Sequence, residues 1–363
     1  MKRVLFVFLI FMCISGKCSA LSAKSAVLID TASGRVLYEY NAHEKLPMAS
    51  TTKIMTGLLA SESGKLSETV KTSAFASGTE GSSLWLKIGE KQTLENLTYG
   101  LMLKSGNDAA VSIAEYLGGN TDAFALMMNK RAKEIGAVNT NFKNPHGLDA
   151  EGHYTTAYDL ALIAREAMKN KKFREIVSTK TYTIPMEGEK WGRALKNHNK
   201  LLWMYDGCNG IKTGYTKKCG RCLVSSASKN GQEIICVTLN ASDDWNDHKY
   251  LLDYGFENYA SKTAVKKGEK MGKITSKEKS VFLVAKNGVS LSVKDGEEVT
   301  VKATVTEKEI PIKKGEVLGT LEVYCNGEKV GSTDLIAEKT VKKTGLFEKI
   351  AKWFKLTLKK IGI

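Results

Sequence analysis

Between residues 24 and 260 the strand-like segments lie at the two ends and the helical ones in the middle, and few folds satisfy that arrangement. Residues 25–30 are apolar and β-branched, 31–34 turn the chain through Gly34, and 35–40 return as a second strand. At the far end, 207–214 lead into a strand, 222–228 return, and 233–239 add a third. Helices are predicted over 50–59, 94–103, 108–117 and 155–168, the last capped by Thr155 or Thr156, with a closing helix over 247–254. A sheet assembled from both ends of a segment is antiparallel and closes late in the chain, with the helices packed against it. The expected class is therefore mixed α/β, an antiparallel sheet flanked by helices.

From 262 to 338 the texture changes to short β-rich pieces (281–285, 291–293, 299–305, 318–323) separated by Gly and charged turns, which reads as a small all-β domain. The two ends of the chain differ again. Residues 1–20 read as an export signal: Lys2 and Arg3 precede an apolar run over 4–14, and Cys18-Ser19-Ala20 offers a cleavage site, with Leu21-Ser22-Ala23 as a second. That run is too short to span a bilayer. In residues 345–363, Leu346, Phe347, Ile350, Trp353, Phe354, Leu358 and Ile361 recur at helical spacing, with Lys349, Lys352, Lys355, Lys359 and Lys360 on the other face. Such a helix, about 25 Å long, is too charged to cross hydrocarbon and suits the plane of a membrane surface.

The charge distribution agrees. The formal net charge is +15, yet residues 341–363 hold seven lysines against Glu348 alone, and the folded part between 21 and 340 carries only about +6. A nucleic-acid binder would show its basic face in the folded part, so no nucleic-acid partner is expected, and an anionic membrane is. Seven cysteines occur, two of them in the signal. The remaining five cannot all pair within one molecule. Cys219-Gly220-Arg221-Cys222 has metal-like spacing without a second pair of ligands nearby, so free thiols or one local disulfide are expected and no metal.

Three short motifs occur in order: Ser50-Thr51-Thr52-Lys53, Ser105-Gly106-Asn107 and Lys212-Thr213-Gly214. Each recurs elsewhere, at Ser226 to Lys229, Ser228 to Asn230 and Lys343 to Gly345, so only surroundings separate signal from chance. Ser50 and Lys53 lie one helical turn apart and share a face. A serine hydroxyl is a poor nucleophile until its proton is removed, and a lysine removes it only when its amine is neutral. Burial and a second cation both lower a lysine pKa, and Lys212 supplies that second cation. Ser105 is placed to pass a proton from Lys53 to a leaving group, and Asn107 to hold a bound peptide. Lys212 and Thr213 suit a terminal carboxylate on a strand edge that accepts an extended peptide, and Gly214 leaves room for it. Backbone N–H groups of Ser50 and Tyr215 would form an oxyanion hole.

This trio is the motif set of penicillin-binding proteins and class A β-lactamases, with Gly106 in place of a central Asp. The segments Pro47 to Thr56, Ser105 to Ala109 and Asp206 to Thr216 resemble the low-molecular-mass penicillin-binding D-alanyl-D-alanine carboxypeptidases, as do Asn144-Pro145-His146-Gly147-Leu148-Asp149 and Tyr158-Asp159-Leu160-Ala161. The resemblance runs over 24–260 and, more loosely, through the β domain and the tail. It implies a penicillin-binding/β-lactamase-like transpeptidase fold. It also implies a serine enzyme of the exported cell envelope that removes the terminal D-alanine from peptidoglycan stem peptides without a cofactor and is acylated by β-lactams. By resemblance, Ser50 is the acylated nucleophile, Lys53 its base, Ser105 and Asn107 relay and holder, and Lys212 with Thr213 the carboxylate site. Two departures stand out. Cys219-Gly220 replaces the family's frequent Ala-Gly, and Asn197-His198-Asn199 lies where some members place a substrate-binding arginine, which makes His198 a possible contact. A β-lactamase would need a dedicated carboxylate near the ester, for which Asp149 is the nearest loop acid; a non-catalytic envelope or β-lactam-binding protein would need neither Lys53 nor Ser105.

Overall fold

The computed structural model describes residues 21–342 apart from 187, 277, 278 and 307, so the expected export signal (1–20) and the expected amphipathic tail (345–363) lie outside the described residues. In chain order the first part runs β1 (Ser25–Asp30), β2 (Val36–Tyr40), α1 (Lys53–Glu62), β3 (Thr69–Lys71), α2 (Ala74–Ser77), β4 (Lys91–Thr93), α3 (Leu94–Leu103), α4 (Asn107–Gly118), α5 (Thr121–Ile135), α6 (Ala157–Lys169), α7 (Lys171–Ser178), β5 (Thr181–Ile184), β6 (Arg193–Lys196), α8 (Leu201–Met204), β7 (Cys208–Thr216), β8 (Gly220–Lys229), β9 (Gln232–Ala241) and α9 (Asp244–Asn258). The main sheet has the order β2-β1-β9-β8-β7, antiparallel throughout. Strands from the two ends of this first part thus meet in the middle of the sheet, where β1 pairs with β9, and β7 is left as an outer strand.

Both faces of the sheet are covered, which is why β1 is buried along its whole length. On one face Val27, Ile29, Val224 and Val237 join the apolar sides of α1, α3, α4 and α6 in the larger core. On the other, Leu28, Ala26, Leu223 and Cys236 pack with Leu251 and Leu252 of α9. Helix starts follow their capping residues: Thr93 accepts from the N–H of Asn96, and Thr156, one of the two expected caps, accepts from that of Asp159. The helix expected over 50–59 begins differently. Ala49–Thr52 form a 3₁₀ turn and the α-helix proper starts at Lys53.

The second part contains β10 (Ala260–Val265), β11 (Lys270–Ser276), β12 (Lys279–Ala285), β13 (Val289–Val293), β14 (Val299–Val305), β15 (Val317–Cys325) and β16 (Glu328–Ala337). They form a β10–β13 pair and a sheet of order β11-β12-β16-β15-β14 around their own core, centred on Leu283, Leu321, Val323 and Leu335. A polar joint fastens it to the first part. Buried Ser292 donates to Asp30 Oδ1 (2.8 Å) and accepts from Gln232 Nε2 (2.9 Å), while Arg35 donates to the Ser292 carbonyl (2.9 Å) and pairs with Glu297.

Candidate active site

Ser50 sits on the 3₁₀ turn that precedes α1, held there by an elbow at Ala49, whose φ is +46°. Non-glycine residues rarely adopt that conformation, and neighbours pin it. Thr52 Oγ1 donates to the Ala49 carbonyl (2.8 Å) and receives the Nε2 proton of His153 at 2.8 Å, since His153 Nδ1 accepts from the N–H of Lys143. Gly147, at φ +91°, lies so close that an added Cβ would stand 1.9 Å from the Ala49 carbonyl oxygen. Only glycine fits there.

The side chain of Lys53 is wholly buried, and its amine has three neighbours: the His146 carbonyl at 2.6 Å, Asn107 Oδ1 at 2.7 Å and Ser50 Oγ at 3.1 Å. The first two can only accept. A neutral amine has two N–H bonds for them and one lone pair, and that lone pair is left for the Ser50 hydroxyl. Burial pushes the Lys53 pKa well down, the charge of Lys212 lowers it further, and Asp108 opposes them. Lys212, on β7, is also buried, and burial pushes its pKa down to about 7.

A cleft of about 900 Å³ opens above Ser50 and is lined by Ser105, His198, Thr213, Gly214 and Tyr215 among others. Ser105 occupies the left-handed region (φ +63°) between α3 and α4, and its buried Oγ has no hydrogen-bond partner. Gly214 lets the outer strand β7 lie against the nucleophile turn: a Cβ there would meet the Ser50 and Thr51 nitrogens at 3.1 Å. As the last strand of its sheet, β7 keeps one row of backbone groups unpaired within the sheet, as strand addition and an oxyanion hole both require. Two residues differ from their expected settings. Asn107 does not line the cleft; Oδ1 accepts from Lys53 and Nδ2 donates to the Glu80 carbonyl (2.5 Å), so the amide orients the lysine. Lys212 also lies behind the lining, its amine donating to the Thr213 carbonyl (2.8 Å).

Several contributors escaped sequence reasoning. The carbonyls of His146 and Glu80 bear no side-chain signature. Asp108 accepts from the N–H groups of Leu84, Leu86 and Ala109 and from Ser83 Oγ, tying the 80–86 loop to the start of α4; its place in the first helical turn was the available clue. Asp149 is absent from the cleft lining and accepts from Thr216 Oγ1 (3.1 Å). The five cysteines of the described residues are all free; the hydrogen bond with Cys222 lowers the Cys219 pKa, burial opposes it, and Thr216 lowers it further.

These features match a class: active-serine acyl-transfer enzymes, in which a buried lysine amine stands beside the serine hydroxyl. Comparison with known proteins places it within that class. Residues 14–243 match the family model described as D-alanyl-D-alanine carboxypeptidase, and 259–343 match that of the penicillin-binding protein 5 C-terminal domain; the chain belongs to the D-alanyl-D-alanine carboxypeptidase family and is a serine-type peptidase. It is 37% identical over 340 residues to D-alanyl-D-alanine carboxypeptidase DacF of Bacillus subtilis, covering 89% of this chain and 87% of the relative. It is 34% identical over 355 residues to DacC of Escherichia coli, covering 91% and 87%. The crystal structure of penicillin binding protein 5 from Haemophilus influenzae superposes with a TM-score of 0.74 at 28% identity, over 89% of this chain and 98% of that one. The transpeptidase-like fold with its all-β C-terminal domain is therefore the family's.

Proposed function

We propose that the protein removes the terminal D-alanine from peptidoglycan pentapeptides through an acyl-enzyme on Ser50. The observation that carries this reading is the Lys53 amine, with both N–H partners supplied by the protein and its third neighbour the Ser50 hydroxyl at 3.1 Å. Lys53 takes the Ser50 proton as Oγ attacks the penultimate D-alanine carbonyl. The N–H groups of Ser50 and Tyr215 receive the oxyanion. Ser105 Oγ, buried and unpaired beside the cleft, conveys the proton to the leaving amine as the C–N bond breaks. The leaving carboxylate lies at Thr213 above the charge of Lys212. Water then takes the acyl group from Ser50. A β-lactam, whose strained amide meets the same hydroxyl, acylates Ser50 too. Among the described residues Asp244 is the one carboxylate lining the cleft, and it is engaged with Arg221 at 2.7 Å, which favours a peptidase over a β-lactamase. The test is Ser50→Ala: it should neither release D-alanine nor take a fluorescent penicillin, and retention of either activity rules the assignment out.

Export through residues 1–20 and peripheral attachment to the outer face of the cytoplasmic membrane through 345–363 complete the proposal. Their support is the sequence pattern, together with the family's peptidoglycan substrate, which lies outside that membrane.

A further inference from the structure

The cleft is larger than its proposed chemistry requires. At about 900 Å³ it stands near the top of the usual range for small-ligand sites, roughly 300–1,000 Å³, and two alanines fill little of it. Its charge is also lopsided. Of its lining residues, Arg221 is neutralised by Asp244. Lys104, Lys196 and Lys200 line it too, and none of the three is paired with a carboxylate among the described residues. Lys104 is half-buried and directly precedes Ser105.

This wall is built rather than incidental. Along residues 196–200 the side chains alternate. Asn197 and Asn199 are buried, and Lys196, His198 and Lys200 are exposed. Asn197 Nδ2 donates to the carbonyls of Val177 (3.2 Å) and Thr179 (3.0 Å), and its Oδ1 accepts from the N–H of Asn199 at 2.9 Å. Asn199 Oδ1 in turn accepts from the N–H of Leu201 (3.1 Å). The N–H of His198 donates to the Leu103 carbonyl (3.1 Å), which fastens the segment beside Lys104. Lys196 lies over the ring of Trp203, 5.4 Å from its centre. Cations held apart from any acid on a fixed backbone favour an anionic ligand, and the leaving alanine's carboxylate has its place at Thr213 and Lys212.

We infer that Lys104, Lys196 and Lys200 bind a second carboxylate of the stem peptide, on the acyl side of the scissile bond, so that the enzyme selects stems in which that group is free over stems in which it is amidated. The inference rests on the carboxypeptidase reading and names its substrate class. Two positions can offer the carboxylate: the side chain of the residue before D-Ala-D-Ala, or the residue one further upstream.

The experiment compares D-alanine release from two pairs of acetylated peptides, each pair differing only by carboxylate or primary carboxamide, one pair for each position. The wild type should prefer the carboxylate in one pair by about tenfold in kcat/KM, the scale of one charge-assisted hydrogen bond. The preference should shrink with added salt. It should fall toward unity in Lys104→Gln/Lys196→Gln/Lys200→Gln and persist when the three are Arg. The single exposed change Lys196→Gln, read beside it, should reduce the preference part-way, and penicillin labelling of Ser50 reports folding. Which pair shows the preference identifies the source. Equal rates in both pairs, or a preference that survives the glutamines, overturn the inference while leaving the carboxypeptidase reading intact. No release from any peptide by the wild type would instead refute that reading.

Discussion

Replacing Ser105 by glycine should make the protein more stable and nearly inactive. Ser105 carries two local costs. Its backbone lies in the left-handed region at φ +63°, worth about 1–2 kcal/mol for a residue with a Cβ. Its hydroxyl is buried without a partner, worth about 1–3 kcal/mol. Glycine removes both and returns about 0.5–1 kcal/mol through its freer unfolded chain. The net gain is about 1–4 kcal/mol. Ser105→Ala keeps the backbone strain and should gain about 1–3 kcal/mol from the hydroxyl alone. In urea, with m on the order of 3 kcal/mol/M, the glycine variant's midpoint should rise by about 0.3–1.3 M. Release of D-alanine should fall by about a hundredfold or more in both, the usual scale for a lost proton-transfer group. A midpoint below that of the wild type in either variant, or undiminished turnover, would refute the reasoning that the orphaned hydroxyl is kept for the reaction.

Gly147→Ala places a Cβ 1.9 Å from the Ala49 carbonyl at φ +91°, so it should cost about 3 kcal/mol and displace the His146 carbonyl from Lys53. Penicillin labelling should drop with the urea midpoint. Gly231→Ala is the control, since at φ +76° a Cβ there meets nothing within 4 Å and only the backbone term remains; equal losses at the two sites would contradict the steric account. Deleting residues 345–363 should move the protein from the membrane to the soluble fraction with its carboxypeptidase activity intact, and an unchanged distribution would assign the tail another role.

The middle of the sheet was legible because β1 and β9 are largely apolar, β-branched runs, and burial on both faces makes such runs necessary. The Ser50–Lys53 pair was legible because the chemistry proposed for it needs particular side chains at fixed spacing. Other parts lacked such marks. Helix α5 buries only Phe124, Ala125, Met128 and Ala132 of its fifteen residues, too narrow a stripe to stand out despite the Asn120 cap and Gly136 end. Strand β16 carries Gly331, Ser332, Thr333 and Asp334 in its middle, which read as turn, and alternates buried and half-exposed positions only from Thr333 to Ala337. Within the site, the Lys53 environment depends on two features that residue type does not announce: a backbone carbonyl at His146 and the fold-back that brings Asn107 within 2.7 Å. The paired lysines were visible as motifs, but their depth of burial, which sets their chemistry, came only with the packing of β7 against the nucleophile turn.

The central claim is that the Lys53 amine is neutral beside the Ser50 hydroxyl. The most direct measurement is the titration of Lys53 by NMR on ¹³C-labelled lysine, assigned with Lys53→Arg, beside the pH dependence of Ser50 acylation by a penicillin. Burial and Lys212 lower its pKa, so the amine takes up a proton, and acylation falls, only as the pH drops through that lowered value. The account predicts that the two curves share one acid limb, well below the ordinary lysine value. A Lys53 that titrates near about 10.4, as an unperturbed lysine does, while Ser50 still acylates at neutral pH would contradict it.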